Sequence, residues 1–593
     1  MNTSLIKDYL SKIIFMMGKN IKILPFIIFL FISSSILDLL GIGLFAPFMI
    51  MVLDPSEFAG STLYQIISKS SFINNTYDAL LVTSITLVLI FFFKAIFGIL
   101  INREILKFSF NEGDRLCRKL MISFQNISYE KYIQKKSSEY IFSISNLANH
   151  YSGTLILLLK VIGDILIATI ILIFLAFQNL SILIMLMVLV LSSIFLYDLF
   201  FRKKMLAYGR NNNSYTKTII QNVTEGIEAL KEIRILGKEK FFYKNVESNS
   251  KNYANNSVKL NLVTQIPRYS IEFLIILFFV SLILVFIYFF KFDINQIAPT
   301  FVMFAVAAIR IAPSTNQIIS NVSLMRAGID GINILYDDVK EIENINIENK
   351  KNKEPKAEDS NKFESLEVKN LSFKYDGASE QSIQNISFRV NKGESIAFIG
   401  KSGSGKTTLM NILLGFFQPD SGEILFNGTS LKDNIYALKS KSAYLPQQVF
   451  VMDRSLEQNI VLTEEKEKID YAKLNLSISQ ANLEDLLNEL PDGVETFLGE
   501  SGVRLSGGQR QRVALARAFY HEREVLFLDE ATSSLDTETE RSIVEQIKNF
   551  KGKKTIFVIA HRLSTVEHCD KIFRLDKGRV IESGKFNEVV KNQ

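Results

Sequence analysis

The 593-residue chain has no tryptophan, two cysteines and four histidines. Cys117 and Cys569 lie far apart and belong to no CxxC or Cys/His ligand spacing, which excludes a disulfide framework and a structural zinc site. Glycine (29) and proline (10) are too sparse for a collagen-like or low-complexity chain. Charge of one sign is missing as well. The 67 Lys and Arg against 61 Asp and Glu leave a net +6, which makes no case for nucleic acid as a partner. What is present in excess is apolar. Hydrophobic residues make up 48% and charged residues 22%, too apolar for an ordinary soluble enzyme and too charged for a pure membrane bundle. The average therefore joins two unlike parts.

Hydropathy separates them near residue 330. Six runs before it meet the ~20-residue requirement of a membrane helix: about 22–52, 78–101, 155–177, 181–201, 270–290 and 297–322. The polar stretches 103–150 and 202–266 lack dense turn signals and are expected to extend several of these helices beyond the bilayer. The first run is too long for a cleavable signal peptide, and no small-residue cleavage site follows it. Basic residues crowd 103–150 and 202–268, whereas 53–77 has only Lys69, so both long loops and both termini are expected in the cytoplasm. Without tryptophan, interfacial anchoring falls to Tyr and snorkelling Lys. Residues 339–362, rich in Lys, Glu and Asn, read as a solvated linker. From 363, short β-type runs such as SIAFIG, VLFLDE and KTIFVIA alternate with helical stretches, which predicts an α/β domain with a mostly parallel sheet. The expected organisation is a membrane domain over 1–338, the linker 339–362 and a soluble domain over 363–593.

Gly400-Lys401-Ser402-Gly403-Ser404-Gly405-Lys406-Thr407 is a phosphate loop set between a strand and a helix that opens on Thr407 and Thr408. Its glycines let successive N–H groups curl around phosphate, and the helix N-terminus adds its dipole. Lys406 would reach the β- and γ-phosphates of ATP, and Thr407 would ligate Mg²⁺. VLFLDE is an apolar strand that ends in Asp529, suited to Mg²⁺, and Glu530, suited to polarising the attacking water.

LSGGQ at 505–509, ending 20 residues before Asp529, is the point at which the chain resembles the ATP-binding-cassette proteins. The resemblance implies further roles, in order along the chain. Tyr375 would stack on adenine, and Gln447 in YLPQQ would sense Mg²⁺. Asp536 closes the D-loop SSLD, and His561 in IAHRLST would contact the γ-phosphate. TFLGESG is similar to the X-loop of exporters, with Glu500 as its acid. Ser506, Gly507, Gly508 and Gln509 would close over ATP held by a second copy's phosphate loop. One cassette per chain then implies a homodimer. The implied fold is a six-span exporter-type helical membrane domain followed by the cassette. The segments 126–136 and 225–239 are the candidate coupling helices, and the second resembles the one that docks on the opposite cassette in exporters.

Ionisable residues at membrane depth are costly and default to functional candidates. Lys94 lies about 15 residues into the second span and Arg310 about 12 into the sixth, each roughly 20 Å below the outer surface at ~1.5 Å per residue. Arg268 follows Pro267 at the cytoplasmic mouth of the fifth. In a dimer these six cations suit an anionic head group, above all phosphate or pyrophosphate. The alternatives are structural: Lys94 with Asp38, and Arg268 with Glu272. Asp38 itself is either a counter-ion or a cargo contact. Lys160 and Asp164 read as a structural pair. Residues 63–72 read as a short outer helix with Leu63, Ile66 and Ile67 on one face. KAIFGIL, IPRYSIEF and AAIRIAPSTNQII resemble the bacterial lipid-linked oligosaccharide flippases. In these the matching basic residues bind a polyprenyl-pyrophosphate oligosaccharide, and an external helix handles the lipid tail. Position 94 is Lys where those flippases carry Arg. The resemblance implies a translocase in the bacterial inner membrane, in contact with membrane lipid; the rival readings are export of a lipid A-type lipid, a drug or a peptide.

Overall fold

Hydrocarbon offers no partner to a backbone N–H or C=O, so an apolar chain that crosses it must pair these groups within its own segment. The computed structural model follows that rule. It describes residues 3–53, 76–178, 180–288, 294–351, 362–432, 435–499, 502–529, 541, 545, 548–560 and 562–590. Eleven α-helices are described in its first part: α1 (Thr3–Met17), α2 (Leu24–Leu53), α3 (Thr76–Asn126), α4 (Tyr129–Tyr132), α5 (Ser137–Ile141), α6 (Ala148–Gln178), α7 (Leu180–Glu228), α8 (Leu230–Leu236), α9 (Glu239–Tyr288), α10 (Ile294–Ala327) and α11 (Ile329–Lys351). A π-helical turn, Phe142–Leu147, joins α5 to α6. Helices of 51, 49 and 50 residues (α3, α7, α9) are each ~75 Å long, against a ~30 Å hydrocarbon core. The polar loops expected to extend the spans are these helices' outer halves. Among the described residues, five helices are long and apolar enough to cross a membrane. The sixth expected span, 297–322, falls within α10.

The chain divides into two compact units: Met1–Ile127 with Gln134–Ile345, and Ser128–Ile133 with Asn346–Gln593. In the first, Tyr9, Ile13, Met16 and Met17 present one face of α1 to a core that includes Ile27 of α2, Leu116 of α3, Tyr151 of α6 and Ile332 of α11. Lys12 Nζ donates to Asn333 Oδ1 at 2.9 Å, tying α1 to α11. The start of the expected linker is corrected here: α11 runs to Lys351. Val339 and Ile342 are buried and continue the stripe of Ile332 and Leu335 at helical spacing. Polar neighbours hid that stripe from a composition reading.

Two contacts fix how α7, α9 and α10 cross. Pro267 lies inside α9 and has no N–H for the carbonyl of Val263 one turn earlier. Tyr197 of α7 supplies the missing donor, its hydroxyl lying 3.1 Å from Val263 O and 3.1 Å from Ser323 Oγ of α10. Gly209 of α7 then lies flat against α10, where a Cβ would stand 1.7 Å from Ala327 O. No other residue type fits that crossing.

In the second unit β1 (Ser365–Phe373), β2 (Ile383–Asn391), β4 (Ser421–Phe426) and β5 (Thr429–Ser430) form an antiparallel sheet in the order β2-β1-β4-β5. A second sheet has the order β10-β9-β3-β8-β7-β6, from β3 (Ser395–Ile399), β6 (Ser442–Leu445), β7 (Val525–Asp529), β8 (Thr555–Ile559), β9 (Lys571–Asp576) and β10 (Arg579–Gly584). All its pairs are parallel except β10 with β9. β7 and β8 are buried on both faces, hence their unbroken apolar runs. Tyr197→Phe should leave the Val263 carbonyl unpaired in a buried crossing and lower stability by about 1–3 kcal/mol. Thermal unfolding in detergent would read this as a lower midpoint; an unchanged midpoint would remove the clamp from the account.

Candidate nucleotide site and membrane cavity

Parallel strands deliver the residues that follow them to one edge of the sheet. β3 leads into Gly400, β6 into Gln447, β7 ends at Asp529, and β8 ends at Ile559. β8 lies between β3 and β7, and Ile559 is in register with both Phe398 and Asp529. Three motifs, at Gly400, Gln447 and Asp529, distant in sequence, therefore share one edge.

The phosphate loop opens helix α12 (Lys406–Leu413). Gly400, Gly403 and Gly405 all have positive φ, and a Cβ on Gly400 would stand 2.2 Å from Leu575 O and 2.8 Å from Ser404 Oγ. At Gly403 nothing lies within 4 Å of a Cβ position, so the loop's crest is open to a ligand. Lys406, only 5% exposed, donates to Gly400 O at 2.9 Å and Lys401 O at 3.0 Å, spanning the loop from beneath. Among the described residues Ser404 Oγ is buried without a hydrogen-bond partner. A buried hydroxyl left unpaired inside a glycine cradle fits a phosphate oxygen. Ser402 and Thr407 are exposed along the loop, and Thr408 Oγ1 lies 3.1 Å from the Tyr375 hydroxyl. That ring is packed edge-on against Phe373 and Phe417, at centroid distances of 5.0 and 5.4 Å.

Asp529, 7% exposed, accepts a hydrogen bond from the Tyr444 hydroxyl at 3.2 Å. Burial and the neighbouring carboxylate push the Tyr444 phenol well above its ordinary pKa, so it keeps the proton it donates. Sequence reasoning missed Tyr444, although it stands three residues before Gln447 on the strand that carries that glutamine to the site. The Tyr444 ring also meets Phe416 at 6.3 Å, and Phe416 meets Tyr129 at 5.1 Å. Tyr129 belongs to Ser128–Ile133, the stretch of the first candidate coupling segment that clusters with the second unit. It also meets Phe417 at 5.8 Å. This one ring therefore touches both the aromatic cluster around Tyr375 and the one leading to Asp529.

The signature sequence starts helix α13 (Gly507–Tyr520). Ser506 is its N-cap, accepting from Gln509 N at 3.2 Å while Gln509 Oε1 accepts from Ser506 N at 2.8 Å. The cap explains why serine and glutamine stand three apart, and it leaves Gly507 and Gly508 in the first turn, where N–H groups lack helical partners. Glu500, Glu530, Asp536 and His561 lie outside the described residues, as does the expected outer helix at 63–72.

Two of the three candidate cargo cations are held by acids within the chain. Lys94 of α3 forms an ion pair with Asp38 of α2, which is 7% exposed. Arg268 Nε meets Glu272 Oε1 at 3.2 Å. Both structural alternatives are thus realised. Lys160 and Asp164, expected to pair, interact through charge; among the described residues no closer salt bridge joins them and Asp164 Oδ2 is buried without a hydrogen-bond partner. Arg310 lies on α10, and its side chain is outside the description. Arg268 lines a cavity of about 790 Å³ between α9 and α10. The second coupling segment folds as α8, ended by Gly237 at φ +60°. It leaves Ile235 and Leu236 86% and 69% exposed.

Residues 383–533 match the ABC transporter family. Over 228 residues, 38% of this chain and 38% of the relative, the sequence is 41% identical to an ATP-dependent lipid A-core flippase of Burkholderia orbicola (strain AU 1054). A protein of the same description from Polaromonas sp. (strain JS666 / ATCC BAA-500) is 42% identical over 226 residues, again 38% of each chain. The matches thus span under two-fifths of these relatives' length. A bacterial Atm1-family ABC exporter with ATP bound superposes with a TM-score of 0.77 over 96% of this chain and 97% of its own, at 19% identity. The fold is that of ABC exporters, a helical membrane region followed by a phosphate-loop cassette. If Tyr444 orients Asp529, Tyr444→Phe should raise the Mg²⁺ needed for half-maximal ATP turnover about tenfold, the equivalent of ~1.4 kcal/mol for a hydrogen bond to a charged group. The rate at saturating Mg²⁺ should be kept; an unchanged Mg²⁺ requirement would leave Tyr444 a packing residue.

Proposed function

We propose that the chain is an ATP-driven lipid flippase of the bacterial inner membrane that acts as a homodimer on a lipid-linked, polyprenyl-pyrophosphate oligosaccharide. The observation that carries the transport reading is a sheet edge that gathers the phosphate loop, Gln447 and Asp529, on a chain whose other unit is a bundle of membrane-length helices holding a cavity. In this reading the loop from Gly400 to Thr407 holds the phosphates, and Tyr375 stacks on adenine. Thr407, Gln447 and Asp529 hold Mg²⁺, Glu530 polarises the water, and His561 contacts the γ-phosphate. Mg²⁺ neutralises charge on the phosphates when ATP is bound. Ser506, Gly507, Gly508 and Gln509 close the partner's site, with Asp536 at the seam. The exposed Ile235 and Leu236 suit a second copy's cassette. ATP-dependent closure shifts the membrane helices outward, and hydrolysis resets them.

For cargo, Arg268 engages Glu272 through Nε alone, and its two terminal amino groups make no hydrogen bond among the described residues. They remain open to phosphate, with Arg310 as a second contact. Lys94 would have to exchange Asp38 for the cargo. The second reading is export of a lipid A-type lipid, favoured by the description of the relatives, which names lipid A-core.

Proteoliposomes given a polyprenyl-pyrophosphate oligosaccharide, a lipid A-type lipid or a phospholipid separate these readings. Transfer would be scored by the access of an added glycosidase or headgroup label. Glu530→Gln should lower turnover and transfer about 10²–10⁴-fold while still closing on ATP; substantial turnover would remove its role. Arg310→Ala should lose oligosaccharide transfer and keep basal ATP hydrolysis. Movement of only the lipid A-type lipid would replace the proposed cargo.

A further inference from the structure

The cavity between α9 and α10 is amphipathic along its length. On α9, Gln265, Arg268 and Glu272 precede Ile275, Ile276 and Phe279 on one helical face. On α10 the order is reversed, with Ala312 and Pro313 before Asn316, Gln317 and Ser320. Five residues separate the two helices in sequence, so they run antiparallel and like ends coincide. One end of the cavity is therefore polar and the other apolar.

The polar end has a specific chemistry. Asn316 Oδ1 is buried with no hydrogen-bond partner among the described residues. Among the described residues the Gln265 and Gln317 side chains form no hydrogen bond, and both are exposed to the cavity. Each amide brings one acceptor and a pair of donors. A phosphate accepts hydrogen bonds and has none to give, so it satisfies the donors and leaves Asn316 Oδ1 unanswered. Glu272 also offsets the charge of Arg268 at 3.2 Å. A ligand that both donates and accepts at several neighbouring points answers the whole set, and a sugar with vicinal hydroxyls is such a ligand.

We propose that Gln265, Asn316 and Gln317, beside the Arg268–Glu272 pair, form a hydroxyl-reading subsite for the first sugars of a glycosylated lipid. The inference rests on the lipid-cargo reading above and adds to it. The anionic linkage sits by the free amino groups of Arg268, the sugars lie against the amides, and the lipid chain starts along Ile275, Ile276 and Phe279. A saccharide becomes a selected part of the cargo rather than a passenger of its phosphate.

The test is equilibrium binding to the full-length protein in nanodiscs, with two radiolabelled probes: a polyprenyl pyrophosphate bearing an oligosaccharide, and the same lipid without sugar. The wild type should bind the glycosylated probe more tightly. Gln317→Leu and Asn316→Leu should each weaken that probe about five- to tenfold, the loss of one or two neutral hydrogen bonds, and leave the sugar-free probe unchanged. The sugar-free probe also reports folding in each variant, and Gln317 is exposed, so its replacement does not disturb the core. Equal loss for both probes, no loss for either, or no preference in the wild type overturns the subsite while the phosphate-cargo reading stands. A wild type that binds neither probe overturns the cargo reading and the subsite together.

Discussion

The architecture depends on one requirement, that backbone N–H and C=O groups find partners wherever water is excluded. In the first unit this gives helices of about 50 residues. Where one such helix carries a proline, the broken link is repaired from outside by Tyr197, and the repair fixes the crossing of three helices. In the second unit a related demand, that buried polar side chains be paired, is left open at the phosphate loop. The phosphate loop turns through positive-φ glycines and leaves Ser404 Oγ unpaired. A phosphate oxygen would complete it. Stability and function thus answer two related demands.

Sheet order explains why the nucleotide residues can be scattered in sequence. β8 separates β3 from β7, and the carboxyl ends of these strands stand side by side. Each strand carries one chemical part to the edge, and the helix capped by Ser506 presents another set of donors. The cassette's two hydrophobic clusters, one on each face of the sheet, hold this edge rigid. The membrane cavity has no such frame. Its walls are two helix faces, and its chemistry changes along their length.

Motif-bearing parts of the fold were legible in the sequence because their chemistry is local. A glycine loop between strand and helix, an acid at the end of an apolar strand and a serine-glutamine cap each sit within a few residues. What depends on contacts between distant segments was not legible. Tyr444 and Asp529 are 85 positions apart, and only the pairing of β6 with β7 makes them neighbours. The helical run to Lys351 was obscured by charge, since two buried residues, Val339 and Ile342, carry it among polar ones. The cations were found by their cost in hydrocarbon, but that cost cannot tell a ligand from an ion pair, and Asp38 and Glu272 occupy two of them. The amides of the cavity cost less to bury than charges, and no sequence rule singles them out.

The contact of Gly209 with Ala327 has a mechanical consequence. A carbonyl oxygen sits where a methyl group would be, so shifting α7 along α10 by one residue would drive Tyr208 or Arg210 into backbone. Sliding is therefore closed to this pair, and rotation about the shared point is the motion that remains. A push received at the α8 end of α7 is carried as through a jointed strut, turning the α10 wall of the cavity instead of being absorbed between the helices. A single missing side chain sets the gearing.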